Sequence, residues 1–169
     1  MSHDVWHTPP ELFRVLHEEF AFDLDAAAHA GNALCPRYIS PEQDALKTSW
    51  LGKTVWCNPP YSLIGPFVMR AWDQCRTQRS TVVLLIPAYT DPAYWWDVIV
   101  PYAEEIRFLK GRVSFLEHGR KKESARFPSV VVVFRWRRGE QRGSPRVWWW
   151  DWKVPMPEEA APLFVEATA

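Results

Sequence analysis

The stretch from Val55 to Ile86 constrains the fold more than any other part of the chain. Val55-Trp56-Cys57 is a short apolar run that leads straight into Asn58-Pro59-Pro60-Tyr61. Prolines cannot donate to a sheet ladder, so a strand has to stop here and the tetrad has to lie on a loop. Ile64, Phe67, Val68, Ala71, Trp72 and Cys75 then recur at i, i+3, i+4, i+7, i+8 and i+11, the spacing of an amphipathic helix. Thr81 to Ile86 is a continuous apolar run of the kind found in strands covered on both faces, and Pro87 ends it.

The flanks extend this alternation. Thr8-Pro9-Pro10-Glu11 reads as a helix start, with Thr8 as the cap, prolines where an N–H would go unpaired, and Glu11 closing a capping box. Leu12, Phe13, Leu16 and Phe20 give that helix one apolar face, and Phe20, Phe22 and Leu24 then alternate in the strand period up to Asp25. From Ala26 to Trp50 periodicity is poor, and short elements around a brief Arg37-Tyr38-Ile39 strand are expected. Asp91 and Pro92 open a helix through Trp95, Trp96 and Ile99, after which Ile106–Leu109, Val113–Leu116 and Val130–Phe134 read as strands. Helices and strands that alternate and then give way mostly to strands place the chain in the α/β class. The expected architecture is a three-layer arrangement around a mostly parallel sheet, with antiparallel pairing near the C-terminus. A single domain over residues 1–154 is expected, followed by a Pro-, Glu- and Ala-rich peripheral tail over 155–169.

Composition excludes several classes. No run approaches the roughly 18 apolar residues needed to span a bilayer. The opening Met1-Ser2-His3-Asp4 has no secretory pattern, so a soluble cytoplasmic chain is expected. Cys35, Cys57 and Cys75 are odd in number and widely spaced, which reads as reduced, mostly buried thiols rather than a disulfide framework or zinc pair. The five histidines show no zinc spacing, no phosphate-binding Gly-Lys loop is present, and no metal is expected. Net charge is zero, yet residues 1–50 carry eight acids against three bases and residues 101–150 twelve bases against five acids. Only the second half has a polyanion-facing balance. Trp148, Trp149, Trp150 and Trp152 form a cluster that suits a packed edge strand, an oligomer interface or, less simply, a base-stacking platform.

The tetrad carries the chemistry. An amino group conjugated to a purine ring is a poor nucleophile, because its lone pair is delocalised and its nitrogen planar. The side-chain oxygen of Asn58 and the main-chain carbonyl of Pro59 offer two acceptors for the two amino hydrogens, which favours a pyramidal nitrogen aimed at a methyl donor. The two prolines hold the loop nearly fixed, and Tyr61 can stack on the ring. The bland alternative is a rigid turn with a core aromatic. Its position after an apolar strand and before an amphipathic helix, where open α/β sheets bind ligands, favours the functional reading.

Several segments, in order, resemble the phage DNA N-6-adenine methyltransferase family. They are Trp6-His-Thr8-Pro9, Phe22-Asp-Leu-Asp25-Ala-Ala, Tyr38 to Leu46, Trp50 and Val55 to Tyr61, then Leu85-Ile-Pro87-Ala, Lys110-Gly111-Arg112-Val-Ser-Phe115 and Phe127 to Phe134. The resemblance covers roughly residues 4–135. It implies a Rossmann-like methyltransferase sheet, S-adenosylmethionine as methyl donor, and the N6 amino group of adenine in DNA as acceptor. It places the cofactor against Trp6, Thr8, Pro9, Asp25, Ala26, Asp44 and Asn58, with Asn58, Pro59, Pro60 and Tyr61 catalytic. Asp25 would take the methionine ammonium or else cap a helix; Asp44 would accept from the cofactor adenine, with Glu42 as rival for a polar contact. Thr8 is explained by capping its own helix or by a carboxylate at that helix N-terminus, and Trp6 by core packing or pocket lining. One departure stands out: the turn after Asp25 holds three alanines and only Gly31, where such enzymes carry a Gly-rich turn.

DNA contacts would come from Lys110, Arg112, Arg120, Lys121, Lys122 and Arg126, six bases facing only Glu117 and Glu123, unless this is simply a solvated loop. An adenine inside a duplex would have to be flipped out. No segment is long enough for a target-recognition domain, so selectivity should be short, weak or supplied by a homodimer partner. Rival readings keep methyl transfer but change the acceptor to an RNA base or a protein glutamine amide, or keep the fold as an inactive nucleic-acid-binding module.

Overall fold

The computed structural model describes residues 7–117, 120–121, 127–139 and 143–154. Trp6, Lys122, Arg126 and the tail over 155–169 lie outside them.

Helix α1 (Pro10–Phe20) buries Leu12, Phe13, Leu16 and Phe20, the face expected from their spacing. Its start differs from the expectation. Pro9 is the N-cap, no side chain caps the helix, and Thr8 stands one residue too early to do so. The capping box with Glu11 therefore does not form. Strand β1 is only Leu24–Asp25, because helical structure runs through Phe20 and Ala21 turns left-handed at φ 52°. The Arg37–Ile39 strand reduces to one bridge: Asp25 N–H donates to Arg37 O and Ile39 N–H to Asp25 O. Strand β2 (Thr54–Cys57) ends at the tetrad, whose Tyr61 begins a short 3-10 turn into α2 (Ile64–Gln78). Helix α2 buries Ile64, Phe67, Val68, Ala71 and Cys75 as its periodicity requires.

Strand β3 (Thr81–Pro87) follows. The helix expected from Asp91 runs over residues 93–102, but its middle is a π turn over Trp95–Ile99 that continues into the short α3 (Val100–Tyr102), with Val100 N–H reaching back five residues to Trp95 O. Pro101 has no N–H to continue an α-helical ladder there, which accounts for the altered register. Strand β4 (Glu105–Leu109) is as expected, but Val113 and Phe115 sink into the core off any strand. Only Leu116–Glu117 (β5) pairs, antiparallel, with Arg120–Lys121 (β6). Strands β7 (Ser129–Arg135) and β8 (Arg146–Trp150) complete the chain.

The main sheet has the order β1-β2-β3-β7-β4-β8. Every pairing with β7 is antiparallel and every other pairing parallel, so β7 alone runs against the rest and sits inside the sheet rather than at its edge. Alternation along the central strands sorts the core into two layers. Val82, Leu84, Ile86, Val130, Val132 and Phe134 face α2. Val83, Leu85, Val131 and Val133 face α1 and Trp56. This is an α/β fold with helices on both faces of a mostly parallel sheet. Trp148, Trp149 and Trp150 of the tryptophan cluster lie in the edge strand β8, with Trp150 buried and Trp149 72% exposed against Phe108, and Trp152 is buried in the turn that follows. The cysteines are buried and free, and burial pushes the Cys75 thiol up to about 12.

Candidate active site

Strands β1, β2, β3 and β4 share one direction, so their carboxyl ends lie along one end of the sheet. A cleft of about 260 Å³ opens at the β1–β2 part of that end. His7 and Thr8 line it from the segment before α1, Asp25 to His29 from the loop after β1, Asp44 to Leu46 from the next turn, and Asn58 and Pro60 from the tetrad.

Asp25 is 3% exposed. Its two carboxylate oxygens accept N–H bonds from Ala27 and Leu34, each 3.2 Å, which ties the ends of the loop together. The next helical element is a single 3-10 turn at Pro41–Gln43, capped by Ser40, so the helix-cap alternative for Asp25 is replaced by a loop clamp. Burial raises the Asp25 carboxyl to about 6, and the two backbone donors only partly offset this. Ala26 is fully buried, its N–H bound to Trp56 O, so the alanines at this turn let backbone and ligand space approach as glycines would.

Asp44 lies on the cleft wall with a backbone φ of 55°, accepting from Leu46 N–H and paired with Lys47 at 2.7 Å. The Lys47 ammonium holds its carboxyl below the usual carboxylate range. Glu42, its rival, is exposed and not part of the cleft wall. The turn carrying Asp44 is braced by buried Trp50, whose N–H donates to Gln74 and whose indole donates to Ala45 O.

Thr8 is buried, and its Oγ1 accepts a hydrogen bond of 3.1 Å from Asn58 Nδ2. Pro9 is buried but caps α1 through its carbonyl rather than lining the cleft. Pro59 is also buried, and Tyr61 turns to the other side of the loop, edge-on to Phe115 at 6.0 Å and to Phe127 at 5.3 Å. Half-exposed Tyr89 packs in turn on Phe127. Asn58 thus stands between a largely apolar cleft that carries two acids and an aromatic cluster. Phe127 and Tyr89 were not singled out as site residues from sequence. His7 and His29, whose rings meet at 5.9 Å on the cleft rim, were missed too, since neither falls in a recognisable spacing.

Of the basic candidates, Lys110 and Arg112 emerge from the carboxyl end of β4, at the same end of the sheet as the tetrad, but Lys110 is ion-paired with Asp151 at 2.8 Å. Arg112 is exposed beside Gly111, which takes a φ of 76°. Arg120 and Lys121 form β6. Among the described residues no group of three or more His, Cys, Asp or Glu could hold a metal, and no helix is long and apolar enough to cross a membrane.

A mostly parallel six-stranded sheet with one antiparallel strand, and a cleft over the carboxyl ends of its first strands, is the Rossmann-like fold of methyltransferases. The model of the family described as DNA N-6-adenine-methyltransferase (Dam) matches residues 1–147, and the chain belongs to that family of enzymes. Relatives named DNA N-6-adenine-methyltransferase come from two phages. The one from Haemophilus phage HP1 is 35% identical over 136 residues, covering 78% of each chain. The one from Escherichia phage T1 is 31% identical over 151 residues, covering 78% of this chain and 63% of the relative.

Proposed function

We propose that this chain transfers the methyl group of S-adenosylmethionine to the N6 amino group of adenine in DNA, on a base flipped out of the duplex. The observation that carries the reading is the position of Asn58, on a strand-end loop between the acid-bearing cleft and the Tyr61–Phe115–Phe127 cluster. The cleft fits the methyl donor by its donor set. A buried carboxylate at Asp25 suits an ammonium, a half-buried one at Asp44 suits an amino or hydroxyl group, and the small side chain of Ala26 admits close approach. Thr8 and Asn58 complete that wall.

When bound, S-adenosylmethionine supplies an electrophilic methyl group on a sulfonium. The chain's part is to bring the acceptor nitrogen to it. Asn58 Oδ1 and the Pro59 carbonyl accept the two amino hydrogens, which draws the nitrogen lone pair out of conjugation. The prolines fix the loop, and Tyr61, braced by Phe115 and Phe127, packs on the base. Lys110, Arg112, Arg120, Lys121, Lys122 and Arg126 follow the carboxyl end of β4 and supply phosphate contacts.

The test incubates the protein with methyl-labelled S-adenosylmethionine and unmethylated duplex DNA, then digests to nucleosides. Labelled N6-methyladenosine in its deoxy form is expected. Label in no DNA nucleoside, with cofactor binding intact, would sink the DNA reading and favour an RNA base or a protein amide.

The Asp25 carboxyl gives a second expected result. A bound ammonium requires the ionised carboxylate, so affinity for S-adenosylmethionine should fall about tenfold from pH 7 to pH 5, as protons compete below about 6. The stability of the ligand-free protein moves in the opposite sense. A carboxyl raised from 3.8 to about 6 contributes stability below the lower value and loses it as pH rises through the higher one. Calorimetric titration across that range, with Asp25→Asn in parallel, checks this: a wild-type affinity as flat with pH as the variant's would remove the ammonium assignment.

A further inference from the structure

We infer that Thr8 is a positioning residue for Asn58: its hydroxyl fixes the plane of the Asn58 carboxamide, so that the amide oxygen meets the acceptor amino group in the geometry methyl transfer needs. The inference rests on the proposed role of Asn58 and goes beyond the cofactor contact that the family resemblance implies for Thr8.

The need for such a device follows from the asparagine side chain. Its last torsion joins a tetrahedral to a planar carbon, and such torsions are broad and roughly two-fold, so nothing intrinsic holds the amide plane. Its oxygen and nitrogen ends are nearly the same shape but opposite in polarity, and an amide turned the wrong way would present donors to an amino group that also donates. A hydrogen bond to Thr8 holds the plane, and in the structure it takes the nitrogen end, which leaves the oxygen end for the acceptor amino group. Asn58 Nδ2 donates to Thr8 Oγ1 at 3.1 Å, a link spanning 50 residues of sequence.

Thr8 is suited to the task by what surrounds it. The residue is 5% exposed, and its β-branched side chain has a stiff first torsion. Its backbone is restricted by Pro9, and Pro10 follows as the first residue of α1, so the hydroxyl is carried on a rigid entry to a helix. The helix makes no use of it, since α1 is capped at Pro9 without any side-chain cap bond. The N-terminal segment and the tetrad, distant in sequence, thereby form one unit on the cleft wall.

The test compares Thr8→Val, which keeps the shape and removes the hydroxyl, with Thr8→Ser, which keeps the hydroxyl, using methyl-labelled S-adenosylmethionine and a duplex oligonucleotide. Thr8→Val should lower kcat about 10–100-fold, the scale of a small misplacement of a reacting group. Its Kd for S-adenosylmethionine should stay within about threefold, and Thr8→Ser should restore most of the rate. In an Asn58→Ala background, Thr8→Val should have almost no further effect, because the amide it holds is gone. Thr8→Val with full kcat, or a loss that appears only in cofactor affinity and vanishes at saturation, would overturn the inference. So would a loss fully additive with Asn58→Ala, which would mark a purely structural role. Asn58→Ala at full rate would instead remove the tetrad reading on which it rests, so the two failures are distinguishable.

Discussion

Asn58→Ala is expected to slow methyl transfer by about 10²–10³-fold, equivalent to roughly 3–4 kcal/mol of transition-state stabilisation, the usual consequence of removing one preorganised polar contact to a reacting group. Two losses combine in it. The acceptor for one amino hydrogen disappears, leaving only the Pro59 carbonyl, and the link from the tetrad to Thr8 disappears with it. Asn58 is one of many residues that line the cleft, and Asp25 and Asp44, on other loops, are untouched, so Kd for S-adenosylmethionine should change much less than kcat. Asn58→Asp separates the contributions. It keeps an acceptor oxygen, and its second oxygen can take the Thr8 hydroxyl proton, so it should retain at least about tenfold more activity than the alanine variant. Single-turnover transfer of labelled methyl into duplex DNA, alongside calorimetric cofactor binding, measures both quantities. An alanine variant that loses cofactor affinity and rate in equal measure would place Asn58 in ligand binding alone.

The parts of the fold that were legible in sequence are those governed by period and by proline. The β2–tetrad–α2–β3 segment is such a case: a strand stopped by Pro59 and Pro60, a helix that buries five of the six residues its spacing names, with Trp72 half-buried, and an apolar run that lies inside the sheet. What was not legible depends on partners far away along the chain. Thr8 has the form of a helix cap, yet its hydroxyl serves Asn58, and no local pattern reveals a bond over 50 residues. Asp25 looked like a cap or a ligand group. Its immediate role is to close its own loop through Leu34 N–H, which can be seen only once that loop has folded back. Most of the residues that meet around the cleft were visible as a list through the ordered family motifs, while their division into an acid-bearing cleft and an aromatic cluster, with Asn58 between them, required coordinates. Strand β4 shows the same limit most sharply. Ile106 to Leu109 reads as apolar, and nothing nearby announces that Arg107 within it is buried with charged partners on two elements.

Arg107→Ala is expected to lower stability by about 3–5 kcal/mol, the cost of breaking a buried ion pair from one side. The Arg107 side chain is 3% exposed and forks onto Glu19 of α1 with two bonds of 2.6 Å, while its Nε donates to Glu105 at 2.9 Å. Its guanidinium also lies over the rings of Phe20 and Trp150, at 5.3 and 5.5 Å. Removing it opens a cavity between α1 and the sheet and leaves the Glu105 carboxylate, 7% exposed, with Arg146 as its remaining described partner. Glu105, still held by Arg146, is left with less compensation for its buried charge, and this should carry part of the loss beside the missing contacts. Glu105→Gln added to Arg107→Ala tests this. It removes that charge while Arg146 keeps its bond to Glu104, so the double variant should be more stable than Arg107→Ala alone. Urea unfolding at neutral pH measures the series through its midpoints. A double variant no better than the single would assign the loss to packing against Phe20 and Trp150. The network lies away from the cleft, so variants still folded at the assay temperature should keep their kcat. The Arg107–Glu19 pair holds the last turn of α1 on the sheet, at the opposite end of that helix from Thr8 and the cleft.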